Sequence, residues 1–548
     1  MIRKMGAHLK WSARRTLAAA AILAMMTGLS ACGRQADSPV DDRIVIRLAA
    51  PQNAYIENFD TNLYKLWLEE QTGLRIEMTW LPAEDAERIA MQALATGEGL
   101  PDAFVGFGSS SYDIFSNLNL QRYGESGVIL ALGDLIEQYG VNLKAVWDEL
   151  SEYNIESFMT MPDGNIYYMP GFSSSLITRY VHQVMWVNGG WLDALGLQAP
   201  ATTDEFRDML MAFKYGDPNG NGQADEIPLA GTEDHYSKQV YDFLFNAFIY
   251  NDVKQDRLLL SDGLVGFAPV RDEWRQALRF MRGLYLDGLI SPLSFTQSNQ
   301  QHIQMANDPQ DILGAFVSPG VTFTVLQNSP EMMSRYIGIG PLAGPDGTRL
   351  ASVSIPLPKP NGVITSAARH PEEVIKLFDL MLSEEASLMG RYGEFGVDWE
   401  WAKEGDLSIY GTQATIHIAN QIWNTPQNKH LNQIIPYISR PQYSGGVTWS
   451  GLDSDGEYMN ARAVMLYREF EPDEFIGALI FTAAEEERIT YIRTDVEAYV
   501  RSSIIDFITG ARDVEDESEW AAYVAKFEAL GLSALLETAQ AAVDRVES

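Results

Sequence analysis

Ile44-Val-Ile-Arg-Leu48, Leu74-Arg-Ile-Glu-Met-Thr-Trp80 and Ala103-Phe-Val105 are three short β-type runs, and what separates them decides the fold. Residues 61–71 carry Leu63, Trp67 and Leu68 at helical spacing. Residues 84–95 set Ile89 and Leu94 on one side and stop at Thr96-Gly97. Strands alternating with helices predict βαβ units and a mostly parallel sheet, so the fold class is α/β.

In such a sheet a ligand crevice lies beyond the carboxyl ends of the strands. The segments following the first and third runs are Pro51-Gln-Asn-Ala-Tyr55 and Gly106-Phe-Gly-Ser109-Ser110-Ser-Tyr112. Both are small, polar or aromatic, as a binding loop requires. Ordinary βα turns use the same residue types, and both readings stay open.

Further along, Thr202-Thr-Asp-Glu205 predicts a capping box, with the threonine hydroxyl accepting a first-turn amide and Glu205 reaching back to the cap. Phe206, Met209, Leu210 and Phe213 then follow at i, i+3, i+4 and i+7, which is a core stripe. From Glu485 onward the pattern is a succession of helices with stops at Gly510 and Gly531.

The first residues read differently. Arg3, Lys4, Lys10, Arg14 and Arg15 precede a 14-residue apolar run from Thr16 to Leu29, then Leu29-Ser-Ala-Cys32. This is the pattern of a secretory signal peptide (residues 1–31), since a membrane-spanning helix needs roughly 20 apolar residues. The same tetrapeptide resembles a bacterial lipobox, which implies lipidation of Cys32, the chain's single cysteine. Residues 32–41 are then a polar tether, and the protein is expected on the outer face of the cytoplasmic membrane, lipid-anchored. Loss of five basic residues with the signal moves the formal charge from −34 to −39. Such a surface repels nucleic acid, so no nucleic-acid partner is expected. A 46% hydrophobic content suffices for large cores, and the length suggests two or three domains' worth of material.

One motif in the mature chain carries specific chemistry. Asp217-Pro-Asn219-Gly-Asn221-Gly222-Gln223-Ala-Asp225-Glu226 places oxygen-bearing side chains at positions 1, 3, 5, 9 and 10, with glycine at 6. Calcium takes six to eight oxygens, and a loop alternating ligand with spacer supplies them, Gln223 through its carbonyl. Position 12 is Pro228 and the candidate bidentate acid is Glu226, so the exit runs into an extended segment instead of a second helix. The site reads as structural calcium; the alternative is a polar turn held by Asx bonds.

Trp186-Val-Asn188-Gly-Gly-Trp191-Leu-Asp-Ala-Leu195-Gly-Leu197, continued through Pro200-Ala-Thr202-Thr203-Asp-Glu205-Phe206 to the oxygen-rich loop, resembles the extracellular solute-binding proteins of carbohydrate ABC importers. The likeness is strongest to the large lipoprotein branch that includes alginate-oligosaccharide binders. Asn58-Phe-Asp60-Thr-Asn62, Gly97-Glu-Gly-Leu-Pro101-Asp102 and Pro162-Asp-Gly-Asn-Ile-Tyr167 extend it along the chain. The resemblance implies two α/β lobes joined by a hinge and closing over a ligand. By analogy, residues 42–160 and 302–385 form the first lobe, and residues 161–301 and 386–548 the second, which holds the calcium loop. It also implies a monomer working with ABC permease subunits, and no catalysis.

A sugar offers apolar C–H faces and hydroxyls, so its site needs flat rings and planar polar groups. The candidates are Tyr55, Ser109, Ser110 and Tyr112 from the first lobe and Trp399 and Trp401 from the second, with Tyr443 and Trp449 behind them. Core packing is the competing account of each tryptophan. Two rival functions remain, a lipid-anchored glycoside hydrolase or polysaccharide lyase, and an adhesion or peptide-binding module. The chain has no nucleophile elbow, zinc helix or phosphate-binding loop.

Overall fold

Asn62 begins the first helix by accepting hydrogen bonds from the Tyr64 and Lys65 amides, at 3.1 and 3.2 Å, and Gly73 (φ 70°) ends it in the left-handed region. Helix Leu63–Thr72 therefore links β1 (Val45–Pro51) to β2 (Arg75–Leu81), and helix Ala86–Thr96 links β2 to β3 (Ala103–Val105). All three strands are parallel, as the alternation predicts. The computed structural model describes residues 42–109, 112–180, 183–235, 237–326, 329–423, 425–452 and 455–547. Cys32, the signal run and Ser110 lie outside them. From Val45 onward the described residues form one compact unit.

Three later strands complete the larger sheet: β4 (Met169–Ser173), β5 (Lys359–Ile364) and β6 (Tyr437–Ser439). The order is β6-β4-β5-β3-β1-β2, with β5 antiparallel to both its neighbours and β6 parallel to β4. The antiparallel insertion brings the start of β5 to the sheet edge where β1 and β3 end. A register shift between Pro360 and Gly362 makes a bulge there, which re-aims Asn361.

Around this sheet packs one hydrophobic core, whose buried members fall within residues 46–172, 363–386 and 431–438. A second core draws on residues 180–353 and 463–542. Its centre is strand Val184–Asn188, buried throughout and paired antiparallel with Ala315–Ser318 and Tyr336–Ile339. Phe206, Met209, Leu210 and Phe213 are buried in it, each worth about 1.5–3 kcal/mol of apolar transfer. Helices Ala483–Thr509, Glu517–Leu530 and Leu532–Glu547 cover it, the first two ending at Gly510 (φ 85°) and Gly531 (φ 97°).

Between the cores the chain passes three times: from Phe172 to Tyr180, from Val353 to Val363, and from Ile438 to Ala463. The molecule is thus a two-lobed α/β body whose lobes are discontinuous in sequence. Residues 306–353 differ from the expected division, since their buried side chains join the second core; the pairing of Ala315–Ser318 with Val184–Asn188 holds them there. Buried residues between Met161 and Phe172 join the first core, through β4. The capping box is also shifted by one residue. Thr202 accepts the Glu205 amide at 3.2 Å, but the Glu205 carboxylate accepts the amide of Ala201 at 2.8 Å.

Candidate functional site

A cavity of about 330 Å³ opens beyond the carboxyl ends of β1 and β3. Pro51, Gln52 and Asn53 leave β1 into it; Gly106, Gly108, Ser109 and Tyr112 come from the loop after β3. Lys359 and Asn361 enter from the start of β5, and Asn432, Gln433, Ile434 and Tyr437 from the approach to β6. Its place is the one the parallel topology predicts.

Asn361 organises one wall. Its side chain is buried and donates to the carbonyls of Gln433 and Ile435, each at 3.1 Å. Asn432 (φ 47°) and Gln433 (φ 53°) are consecutive non-glycine residues in the left-handed region, an arrangement that stores strain and clusters at functional sites. The space for Asn361 depends on two glycines: a Cβ on Gly108 would lie 1.9 Å from its Oδ1, and one on Gly171 would lie 2.4 Å from its Nδ2. On the opposite wall the Tyr112 ring meets Phe107 edge-on, with centroids 5.2 Å apart. Amides both donate and accept, so such a surface matches hydroxyl-rich ligands.

Of the residues expected to touch a ligand, Ser109 and Tyr112 line this cavity. Tyr55 does not line it. It is 37% exposed, with its amide bonded to Asn53 Oδ1 at 2.9 Å. Trp399 and Trp449 are buried in a small third core with Leu388, Tyr392 and Ile416, so the expectation that they face a ligand gives way to packing. The Trp399 indole N–H is also satisfied internally, donating to the Gly393 carbonyl at 3.1 Å. Trp401 is different: it is 38% exposed, stands edge-on to Trp399 with centroids 5.2 Å apart, and lies 6.3 Å from the Tyr443 ring. Asp398, in the same stretch, is fully buried and pairs with Lys429.

Sequence reasoning passed over Lys359, Asn361, Asn432, Gln433 and Tyr437. Only the strained Asn432-Gln433 pair, polar residues amid apolar neighbours, carried any local signal.

The oxygen-rich loop follows helix Thr203–Tyr215, and its exit forms an extended bridge from Ile227 to Leu313. Gly222 (φ 72°) makes the turn at position 6, and its amide donates to both Asp217 carboxylate oxygens at 3.2 Å. The amides of Asn219 and Asn221 donate to Asp225 at 3.1–3.3 Å. Glu226 Oε1 is buried with no hydrogen-bond partner, a spare oxygen of the kind that a hard cation takes. Among the described residues no three acid, histidine or cysteine side chains gather as a metal-holding group. The donor set therefore fits a cation only with the Asn219 and Asn221 amide oxygens and the Gln223 carbonyl included.

No family profile matches the chain. It is 29% identical over 505 residues to the fructooligosaccharide ABC transporter substrate-binding protein FusA of Streptococcus pneumoniae, covering 88% of this chain and 86% of FusA. The solved FusA structure, in complex with kestose, superposes with a TM-score of 0.69 over 92% of this chain and 99% of that one, at 24% identity. The fold is that of the substrate-binding proteins of ABC transporters. An HMO-binding, ABC-transporter-associated solute-binding protein of Bifidobacterium longum infantis gives a TM-score of 0.73 at 20% identity, covering 92% of this chain and 99% of that one. Lipoprotein LipO of Bacillus subtilis is 24% identical over 405 residues, 71% of this chain and 74% of its own. A second FusA structure is of an EF-hand mutant. These relatives carry the names of binding proteins and a lipoprotein, and none that of an enzyme. Among the described residues no helix is long and apolar enough to cross a membrane.

Proposed function

We propose that this chain captures an oligosaccharide between its lobes and delivers it, chemically unchanged, to an ABC transporter. The observation that carries the reading is the likeness to FusA along 88% of the chain. The amide-lined cavity at the strand ends supports it, being the kind of surface that hydroxyl groups require.

In this reading the first lobe supplies Ser109, Tyr112 and Asn361, and Trp401 and Tyr443 offer rings from the other side. A ligand held by both lobes stabilises the closed form, because only there does it meet both sets of contacts. The transporter then reads the closed shape. Calcium is held by Asp217, Asn219, Asn221, the Gln223 carbonyl, Asp225 and Glu226, where it neutralises the carboxylates and pins the loop to the second lobe. Cys32 carries the lipid that keeps the protein at the outer face of the membrane, a reading the likeness to LipO supports.

A thermal-shift screen of the mature chain against kestose and other oligosaccharides tests the proposal. A true ligand raises the melting temperature once it exceeds its dissociation constant. If no oligosaccharide does so, the reading fails.

A further inference from the structure

Asparagine precedes glycine four times in the chain, at Asn188, Asn219, Asn221 and Asn361. Such a pair is open to attack on the asparagine side chain by the next amide nitrogen, because glycine has no Cβ to obstruct the five-membered ring that results. Three of the four are guarded. Asn188 is fully buried, and the Gly189 amide donates to the Arg335 carbonyl at 2.7 Å. Asn361 is buried, with its Nδ2 group spent on two carbonyls. Asn219 is half-buried, and the Gly220 amide donates to the Asp217 carbonyl at 3.1 Å, a neutral acceptor that takes no proton away.

Asn221 differs at each atom that takes part. It is exposed, and the amide of Gly222, the nucleophile, donates to both oxygens of the Asp217 carboxylate at 3.2 Å. That carboxylate is placed to accept the amide proton as attack proceeds. Asn221 Oδ1 accepts the Gln223 amide at 2.7 Å, an Asx turn that folds the side chain back over its own following amide and sets a donor where negative charge develops. Its Nδ2, the leaving group, donates to Asp225 Oδ1 and Oδ2 at 3.2 and 3.1 Å, which fixes the rotation of the amide.

We propose that Asn221 is a site of self-promoted deamidation. The Gly222 nitrogen bonds to Asn221 Cγ, and its proton passes to Asp217. The Cγ–Nδ2 bond then breaks, and the nitrogen leaves as ammonia with that proton, returned through solvent. The cyclic imide takes up one water. Opening at Cγ gives aspartate, whereas opening at the backbone carbonyl gives isoaspartate, whose chain runs through Cγ and is one methylene longer. The aspartate form adds a negative charge beside Asp217 and Asp225. The isoaspartate form puts the alternation of oxygen-bearing side chains out of step after position 5, so the loop loses its fit to a cation as it ages. This inference concerns the loop alone and stands apart from sugar binding.

Peptide mapping by mass spectrometry tests this, on the mature chain kept for weeks at neutral pH in a chelating buffer, where the loop keeps the hydrogen bonds among its own groups. Each deamidation raises a peptide's mass by about one dalton as NH2 gives way to OH, and fragment ions separate the two neighbouring positions. The folded chain should convert Asn221 at least about tenfold faster than Asn219, since a placed base is worth that much or more, and should yield both aspartate and isoaspartate. In denaturant the two positions should react at similar rates. Asp217→Asn should slow Asn221 severalfold; Asp217 stands at φ 48°, which asparagine tolerates, so the variant keeps the turn. Equal rates at Asn219 and Asn221 in the folded chain, an Asn221 advantage that survives unfolding, or an undiminished rate in Asp217→Asn overturns the inference.

Discussion

The Nδ2 group of Asn361 lies 3.1 Å from the carbonyl oxygen of Gln433, so a strand residue holds a left-handed backbone in place in the same wall of the cavity. A second bond of equal length to Ile435 makes the hold two-pronged. Replacing Asn361 by Leu leaves both carbonyls buried without a donor, at about 1–3 kcal/mol each. The variant should melt lower, and ligand affinity should fall more than tenfold. Calorimetry on the variant at a temperature where it remains folded separates the two effects.

Gly108→Ala tests the same wall from its other side. The added methyl group would sit 1.9 Å from Asn361 Oδ1, and overpacking of this kind costs about 1–3 kcal/mol. Gly133→Ala, where a Cβ meets nothing within 4 Å, is the control and should be neutral or slightly stabilising. A thermal melt of each variant decides it. Equal melting points would mean that Asn361 moves aside at no cost.

Trp399 and Trp401 should respond oppositely to truncation. Trp399→Ala empties a buried site, and losses of about 3–5 kcal/mol are usual for such a change. Trp401→Ala removes a ring that already faces solvent, so its effect should fall on ligand affinity and hardly on melting temperature. Denaturant unfolding together with titration by a bound sugar distinguishes the pair.

Calcium should raise the melting temperature of the wild type, and a chelator should reverse the rise. At a hundredfold excess over its dissociation constant a ligand adds about 2.7 kcal/mol. Glu226→Gln, which replaces the charged carboxylate carrying the spare buried oxygen, should blunt the effect. A chelator-insensitive wild type would leave the loop as a hydrogen-bonded turn.

How far the sequence alone reached is clear from these residues. β1 to β3 were legible because each run is short and separated from the next by residues at helical spacing, with Thr96-Gly97 as the stop before β3. β5 was not, because Pro360-Asn361-Gly362 reads as a turn and becomes a strand only through the bulge that its neighbours impose. The site divides in the same way. Ser109 and Tyr112 follow a strand that the pattern reveals, whereas Lys359 and Gln433 reach the cavity by long-range pairing that no local window records. The tryptophans at 399 and 401 differ by one strand repeat, and only packing tells which is covered.

Asp242 provides a test by pH. Its buried carboxyl is pushed up to about 7, by desolvation first and with Glu497 and Glu233 adding to the rise, while Arg257 opposes it. The native protein therefore keeps this proton where the unfolded chain, with an ordinary carboxyl near 4, has released it. Stability from this group falls as pH climbs from about 4 to about 7. Asp242→Asn has no proton to lose, so the melting temperature of the variant relative to wild type should improve across that window. A constant difference between the two melting curves would refute the assignment.

The edge strand β6 has a consequence for synthesis. Ribosomes make about 5–20 residues per second, so β4 waits on the order of tens of seconds between its own emergence and that of Tyr437–Ser439. Throughout that interval one row of its amide and carbonyl groups is an open template for any other extended polypeptide. A sheet closed by so late a segment keeps that template open until Tyr437–Ser439 has been made.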